Sequence, residues 1–115
     1  MKPEIKKKWV DALRSGEYAQ GYEILHNEAT DTYCCLGVLC DLAIKDGVPV
    51  DTVSFREITM FDDSSSVLPK SVQKWAGISN KNPSVIDDGV INTLAGLNDA
   101  GLEFYKIADI IEEQL

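Results

Sequence analysis

The stretch from Cys34 to Lys45 (CCLGVLCDLAIK) carries apolar side chains in every direction around a helical wheel. A surface helix keeps one polar face, whereas a helix that is apolar on all sides is buried. The pattern therefore predicts a central core helix at about residues 34–45. Thr32 or Asp31 could cap its start, and Gly47 could end it. The rest of the chain must then pack around this one helix.

Amphipathic helices are predicted at both ends of the chain. Pro3 suits the first turn of a helix because it has no N–H to lose there, and Gly16 suits its end. The apolar positions that repeat at helical spacing in the two terminal helices are Ile5, Trp9, Val10, Leu13, Phe104, Ile107, Ala108, Ile111 and Leu115. A short helix is expected over residues 70–78, after Pro69, and another over residues 87–98.

Extended segments are predicted between these helices. Residues 18–25 are expected to form a strand, and the turn residues HNEATD then lead to a second strand at Thr32-Tyr33. Residues 48–60 alternate between β-branched or aromatic and polar side chains, which is typical of a strand. The expected fold is α+β, a small compact domain in which the terminal helices and one or two β-hairpins pack the buried helix.

Length and composition favour one domain over residues 1–115. The chain has 115 residues, of which 44% are hydrophobic, and this is enough for one core without disulfides. There is no run of ~18 apolar residues and no secretory signal pattern. We therefore expect a cytoplasmic protein without a membrane partner.

The formal net charge of −8 constrains the partners. A charge of this sign repels phosphate backbones, so duplex nucleic acid is not an expected partner. The segment from Gly101 to the end is similar to the second half of a helix-turn-helix, but Glu103 replaces the usual capping serine. A pocket for a small phosphorylated ligand needs only a few local donors and stays open.

The three cysteines could in principle hold a metal or act as a nucleophile. Cys34, Cys35 and Cys40 point in different directions on one helix, which is unsuited to a zinc site even with His26 as a fourth ligand. A thiol at a helix start can be activated, but His26, the only histidine, precedes the cysteines. Core packing is the prediction for Cys35 and Cys40, and Cys34 retains a chance of facing a pocket.

No other constellation predicts catalysis, a metal site or a cofactor. The carboxylate pairs Asp62-Asp63 and Asp87-Asp88 lie among turn residues, and their spacing is not that of a calcium loop. The glycines match neither a dinucleotide nor a P-loop pattern. Aromatic rings combined with Arg and Asn donors are, in contrast, what a nucleotide pocket uses. The candidate ligand-binding residues are Arg14, Tyr33, Arg56, Trp75, Asn98 and Asp99.

Four segments of the chain carry a family resemblance: KKWVDALRSGEYAQGYEIL, TYCCLGVLCDLA, LPKSVQKWAGI and TLAGLNDAGLEFYKIADIIEEQL. The chain resembles a family of short, mostly uncharacterised proteins encoded by tailed bacteriophages and some bacterial genomes. The resemblance covers nearly the whole chain and assigns no catalytic residues. By analogy with other small phage proteins, it implies an accessory, anti-defence role in the cytoplasm of the host cell.

Three functions follow as expectations from this resemblance and the motif survey. The first is sequestration of a small nucleotide-type signal by a homo-oligomer, with Arg14, Arg56 and Asn98 on phosphate or ribose and Tyr33 or Trp75 stacked on a base. The second is inhibition of a host protein through the acidic surface. The third is a cysteine-dependent hydrolase. The pattern favours binding over catalysis.

Overall fold

The computed structural model describes all residues, 1–115, and has five helices and seven short strands. The helices are α1 (Pro3–Ser15), α2 (Cys35–Lys45), α3 (Lys70–Ala76), α4 (Leu94–Asp99) and α5 (Phe104–Gln114). The strands are β1 (Ala19–Gln20), β2 (His26–Asn27), β3 (Thr32–Tyr33), β4 (Thr52–Phe55), β5 (Ile58–Phe61), β6 (Ser84–Asp87) and β7 (Val90–Thr93). The first five strands form one sheet in the order β1-β3-β2-β5-β4, and β6 and β7 form a separate hairpin. The predicted α+β fold is confirmed.

Helix α2 lies at the centre of the core, as its apolar pattern predicted. Every residue from Cys35 to Cys40 is buried, and Cys34 just before the helix is buried as well. The predicted cap at Thr32 or Asp31 is wrong, because Cys34 occupies the cap position and offers no side-chain hydrogen bond. The side chain of Asn98, from α4, instead accepts a hydrogen bond of 3.1 Å from the Cys35 amide.

The terminal helices pack against each other and against α2. Their buried residues all belong to the predicted set, including Trp9 and Ile107, which are both inaccessible to solvent, whereas the predicted Leu115 follows α5 and is only partly buried. The indole N–H of Trp9 donates a hydrogen bond of 3.0 Å to the carbonyl of Cys35. This bond satisfies the one polar group of the tryptophan and ties α1 to the first turn of α2.

The expected strand over residues 18–25 is wrong. Only β1 is extended, and it pairs in parallel with β3, whereas β2 is the antiparallel partner of β3. The chain leaves the strand at Gly21, where a Cβ would lie 2.4 Å from Thr32 Oγ1, and Glu23 then takes a positive φ. Gly21 still donates a hydrogen bond of 2.7 Å to the Tyr33 carbonyl, and the positive φ of Glu23 then turns the chain away from the sheet.

Two further segments differ from their predictions. The expected single strand over residues 48–60 is a hairpin, because Arg56 and Glu57 both take a positive φ and turn the chain between β4 and β5. The expected helix over residues 87–98 is also wrong in its first half. Asp88-Gly89 is a hairpin turn between β6 and β7, and α4 begins only at Leu94.

None of the five helices has the length and apolar character that crossing a bilayer requires. The longest, α1, has 13 residues and four buried apolar side chains that face the core.

Candidate ligand-binding cleft

A cleft of about 370 Å³ lies between α2 and the face of the five-stranded sheet. Its walls come from β2, β3, α2, β4 and β5, so the sheet order places residues distant in sequence side by side. The lining residues are His26, Glu28, Tyr33, Asp41, Ile44, Thr52, Val53, Ser54, Thr59 and Phe61. This set includes an aromatic pair, two carboxylates and four hydroxyl groups, one of them the phenol of Tyr33.

The aromatic pair at the cleft is formed by His26 and Tyr33. These residues face each other across the β2–β3 pair, and their rings stack with centroids 4.1 Å apart and planes 9° apart. The ring of Tyr18 packs edge-on against Tyr33 at 5.2 Å. Tyr33 is therefore held rigidly, and part of its aromatic surface is already covered. Burial, together with the carboxylates of Asp41 and Asp31, raises its pKa to about 12.

A chain of hydrogen bonds connects the histidine to two carboxylates. Thr59 Oγ1 donates to Glu28 Oε2 at 2.5 Å and lies 2.9 Å from His26 Nδ1. The other ring nitrogen, Nε2, lies 3.0 Å from Asp31 Oδ1. Since Thr59 gives its only hydrogen to Glu28, both nitrogens of His26 face acceptors.

Glu28 is the exposed carboxylate at the mouth of the cleft. Ser54 Oγ donates to its Oε1 at 2.5 Å, in addition to the bond from Thr59. These two hydroxyl donors lower the pKa of Glu28. The side chain is therefore a fixed anion at neutral pH that can accept further hydrogen bonds from outside.

The second carboxylate of the cleft, Asp41, is partly neutralised by a cation. It accepts a hydrogen bond of 2.5 Å from the Tyr18 hydroxyl and pairs with Lys45 at 3.2 Å. Lys45 also donates to the Tyr18 oxygen at 3.0 Å. Hydrogen bonds to Tyr18 and Asp41 raise the pKa of Lys45, whereas burial raises that of Tyr18.

The cleft thus accepts hydrogen bonds better than it attracts anions. None of its lining residues is a lysine or an arginine. A ligand with amino or imino donors finds complementary oxygens at Glu28, and a ligand phosphate is repelled from the same position. Any phosphate would have to point away from the carboxylates and towards solvent.

Two other grooves have similar volumes and less suitable linings. One, of about 390 Å³, runs between α1 and α5 past Lys6, Lys7, Asp11 and Glu112, and it has no aromatic ring. The other, of about 410 Å³, lies beside α3 and likewise has no aromatic ring. The cleft at Tyr33 is therefore the best candidate, because rigid aromatic surface and convergent polar groups occur together there.

Of the six residues that the sequence singled out, only Tyr33 lines this cleft. Asn98 is fully buried and all of its polar capacity is used inside the protein. Its Oδ1 accepts from Gln20 Nε2 and the Cys35 amide, both at 3.1 Å, and its Nδ2 donates to the Gly21 carbonyl at 2.9 Å. Asp99 accepts from the Glu23 amide at 2.8 Å. Asn98 and Asp99 are thus adjacent, and their hydrogen bonds connect α4 to the loop after β1.

The remaining three candidates lie on different elements. Arg14, in α1, pairs with Asp109 at 2.7 Å and with Glu112 at 3.1 Å in α5, and these hydrogen bonds raise its pKa. Trp75, in α3, donates from its indole to Asp46 at 2.9 Å.

Arg56 lies in the β4–β5 turn, with its guanidinium 5.2 Å from the centroid of the Phe55 ring. The six residues do not form one constellation.

The cysteines show no features of a nucleophile. All three are buried and unpaired, and burial raises the pKa of Cys34, Cys35 and Cys40. Cys34 does not face a pocket, contrary to the chance that the sequence left open, because only 2% of it is exposed and it lines none of the grooves described above. No group of three or more metal-ligating side chains occurs.

Sequence reasoning missed Glu28 and Thr59, and it used His26 only as a possible zinc ligand or catalytic base. The sequence pattern predicts a turn at residues 26–31 that follows a strand at residues 18–25, whereas His26 itself pairs with Tyr33 in the structure, so this contact was missed. Nothing local indicated Thr59, which reaches the site from β5, 33 residues away from His26.

Comparison with known proteins gives one match. The sequence model of a family described as a domain of unknown function (DUF8296) matches residues 1–115. No curated protein and no solved structure matches the chain.

Proposed function

The chain belongs to the DUF8296 family, and we propose that it binds and sequesters a small nucleotide-type signal. The resemblance to short phage proteins supports an accessory role in countering host defence, in the host cytoplasm, and the protein could act there as a homo-oligomer. The observation that carries the proposal is the cleft at Tyr33, which joins rigid aromatic surface to fixed hydrogen-bond acceptors.

The size and lining of the cleft support a small ligand. Ligand pockets have volumes of about 300–1,000 Å³ and a few well-placed polar groups, and this cleft has about 370 Å³. The carboxylate of Glu28 is held in place by Ser54 and Thr59. A fixed acceptor of this kind suits the amino edge of a nucleobase, as glutamate does when it accepts from cytosine.

The charge of the cleft sets the orientation of such a ligand. The base would enter towards Glu28 and Tyr33, and its phosphate would stay outside, away from Glu28 and Asp41. Arg56 lies in the turn of the β4–β5 hairpin, whose first strand forms one wall of the cleft. It has no acidic partner within the chain. Its guanidinium lies over the Phe55 ring, on the side of β4 away from Ser54 and the cleft, so this side chain would have to change rotamer to reach a ligand phosphate.

Sequestration fits the arrangement better than catalysis does. The buried thiols lack the low pKa of a nucleophile, which disfavours a cysteine-dependent hydrolase. Both ring nitrogens of His26 are engaged in hydrogen bonds within the protein. Alkylating the thiols of the folded protein, where they are accessible at all, should leave ligand binding unchanged.

Isothermal titration calorimetry with cyclic dinucleotides, ADP-ribose derivatives and the parent nucleosides tests the proposal. We expect one ligand class to bind, and Tyr33→Phe to weaken that binding because it removes a hydroxyl from the cleft. Tyr105→Phe is the matched control, since Tyr105 is half exposed on α5 and outside the cleft. Absence of heat across the whole panel, with folded protein, would refute sequestration.

A second candidate function is inhibition of a host protein. The net charge of −8 and the exposed apolar side chains of Val53 and Phe55 favour it, since a surface of this kind can occupy a basic site on another protein. Recovery of one host partner at low salt and its loss at high salt would be the expected result of a pull-down. Equal recovery at both salt concentrations would count against an electrostatic inhibitor.

A further inference from the structure

We propose that β4 is a docking edge at which an extended, basic segment of a partner protein adds as a further strand. This edge would be the surface through which the protein inhibits a host protein, the second candidate function. The proposal does not require that the cleft bind a nucleotide. Strand addition of this kind supplies main-chain hydrogen bonds from the edge and side-chain specificity from the two faces.

The edge of β4 is open. β4 is the outermost strand of the five-stranded sheet and pairs only with β5. All four of its residues are exposed, and Val53 and Phe55 are exposed by 56% and 59%. The strand TVSF contains none of the devices that usually protect an edge, such as proline, lysine or a bulge.

One other strand edge is short and one is covered, whereas β7 also has an open outer edge, with Ile91 exposed by 76%. β1, at the opposite edge of the same sheet, has two residues. In the separate hairpin, the side chain of Gln114 covers β6 by accepting from the Ile86 amide at 2.7 Å and donating to the Ile86 carbonyl at 2.6 Å. β4 is therefore one of two open edges, and it is the one that borders the cleft and Glu28.

The hairpin turn determines which main-chain groups of β4 point outward. A two-residue turn at Arg56-Glu57 makes Phe55 and Ile58 a hydrogen-bonded pair. Along the ladder from there, non-hydrogen-bonded and hydrogen-bonded pairs alternate. The amides and carbonyls of Thr52 and Ser54 consequently face away from β5. They make no hydrogen bond to a loop or a side chain elsewhere in the protein.

The two faces of β4 differ in chemistry, which specifies the partner. The Ser54 hydroxyl reaches Glu28, so this face of β4 is the acidic face of the cleft. Val53 and Phe55 alternate with Ser54, so their side chains leave the other face of the strand, where both are more than half exposed, although Val53 also borders the cleft. A partner residue opposite Ser54 would lie beside Glu28, whereas residues opposite Val53 and Phe55 would lie on apolar surface. The complementary segment alternates basic and apolar side chains.

Local charge also favours a cation. Glu28, Asp51 and Glu57 are exposed on or next to the hairpin, and Asp41 lines the cleft beside it. The positive groups nearby are Arg56 in the turn and Lys45, which is paired with Asp41. A strand of four residues lies at the low end of interface sizes, so the interaction is expected to be weak and dependent on salt.

The test uses a labelled peptide of alternating lysine and valine, with a glutamate–valine peptide as control, and measures fluorescence anisotropy at low and high salt. The wild type should bind the basic peptide alone, and more weakly at high salt. Ser54→Pro removes the outward amide without touching a bond of the β4–β5 ladder, and it should lose about tenfold or more in affinity. Ser54→Ala keeps that amide and should lose no more than about threefold.

Glu28→Gln should weaken binding at low salt and reduce the salt dependence, because it removes one charge without changing the shape of the side chain. In the wild type, hydrogen exchange at the Thr52 and Ser54 amides should slow when the peptide is added. This readout does not depend on whether a variant folds.

Three results would overturn the proposal. They are equal affinity for the wild type and a folded Ser54→Pro variant, no added protection at these two amides, and a concentration-dependent dimer that Ser54→Pro abolishes. The last would assign the edge to a second copy of the chain. If the protein binds a nucleotide but not the basic peptide, only the docking edge is refuted. If it binds the peptide but no nucleotide, only sequestration is refuted.

Discussion

Replacement of Asn98 by alanine should destabilise the protein strongly, although Asn98 lies outside the cleft. Its amide group joins three parts of the fold: the start of α2 through the Cys35 amide, the loop after β1 through the Gly21 carbonyl, and Gln20. Gln20 in turn accepts from the amide of Phe104 at 3.2 Å, at the first turn of α5. One buried side chain therefore holds the ends of three elements in place.

The size of the effect follows from the groups that lose their partners. The Cys35 amide and the Gly21 carbonyl would be left without the hydrogen bonds that Asn98 provides, and each orphaned buried group costs about 1–3 kcal/mol. Alanine is the better helix former and returns up to about 0.7 kcal/mol. The free energy of unfolding should fall by about 1–5 kcal/mol, a large share of the total for a domain of this size.

Urea denaturation followed by tryptophan fluorescence measures this change, because Trp9 is fully buried and reports on the core. The melting temperature should fall by about 4 °C for each kcal/mol. Asn92→Ala is the matched control, since its side chain makes one contact of 3.3 Å, to Val90 of the same strand, and it should change stability by about 0.5 kcal/mol at most. A loss below about 1 kcal/mol for Asn98→Ala would show that this network is not what fixes α4 to α2.

Three further predictions follow from the core and the cleft. Gly37→Ala should destabilise the protein by about 1–3 kcal/mol in the same urea assay, because the new Cβ would lie 1.8 Å from the Leu25 carbonyl oxygen; a more stable variant would contradict this. All three thiols should react with Ellman's reagent only as fast as the protein opens, and one fast thiol in the native protein would contradict their burial. Stability should fall as the pH rises from 10 to 12, because the folded state raises the Tyr33 pKa to about 12 and so holds this proton more tightly than the unfolded state. Urea midpoints across that range should fall less steeply for Tyr33→Phe, and an identical slope would contradict the assignment.

The parts of the fold that could be predicted are those whose signal is local. The apolar positions of α1 and α5 repeat at helical spacing, and α2 is apolar on every side, so the burial of Trp9, Cys40 and Ile111 follows from pattern alone. The end of α1 at Gly16 follows from the left-handed conformation that glycine accepts. These features depend on residues within a few positions of each other.

The β6–β7 hairpin shows where local spacing misleads. Ile91, Leu94 and Leu97 are spaced as on a helix, yet Ile91 belongs to a strand, and only Leu94 and Leu97 belong to α4. The Asp88-Gly89 turn is a strong hairpin signal. The hairpin is also held by contacts that no local window contains, such as the two hydrogen bonds between Gln114 and Ile86.

The candidate site was predictable only in part, for a physical reason. Tyr33 was identified as an aromatic residue at the start of the buried helix, and it lines the cleft. Asn98 and Arg14 were chosen as polar donors beside apolar residues, but a sequence cannot show whether such donors are already satisfied inside the fold. In the structure, the Asn98 side chain is fully used in hydrogen bonds to other parts of the fold, and Arg14 forms ion pairs with two carboxylates of α5.

The packing of α1 against α5 has a consequence for how the chain folds during synthesis. Helix α1 packs mainly against α5, the last helix. Arg14 is hydrogen-bonded to Asp109 and Glu112, which follow it by 95 and 98 positions in the sequence. Contacts of such long range form late and slow folding. As translation proceeds, α1 leaves the ribosome long before Ile107 and Ile111 exist to cover it. Helix α2 can cover Trp9 earlier, but the part of the α1 face that α5 buries stays exposed until the last helix is made, which favours binding of the nascent protein by a chaperone.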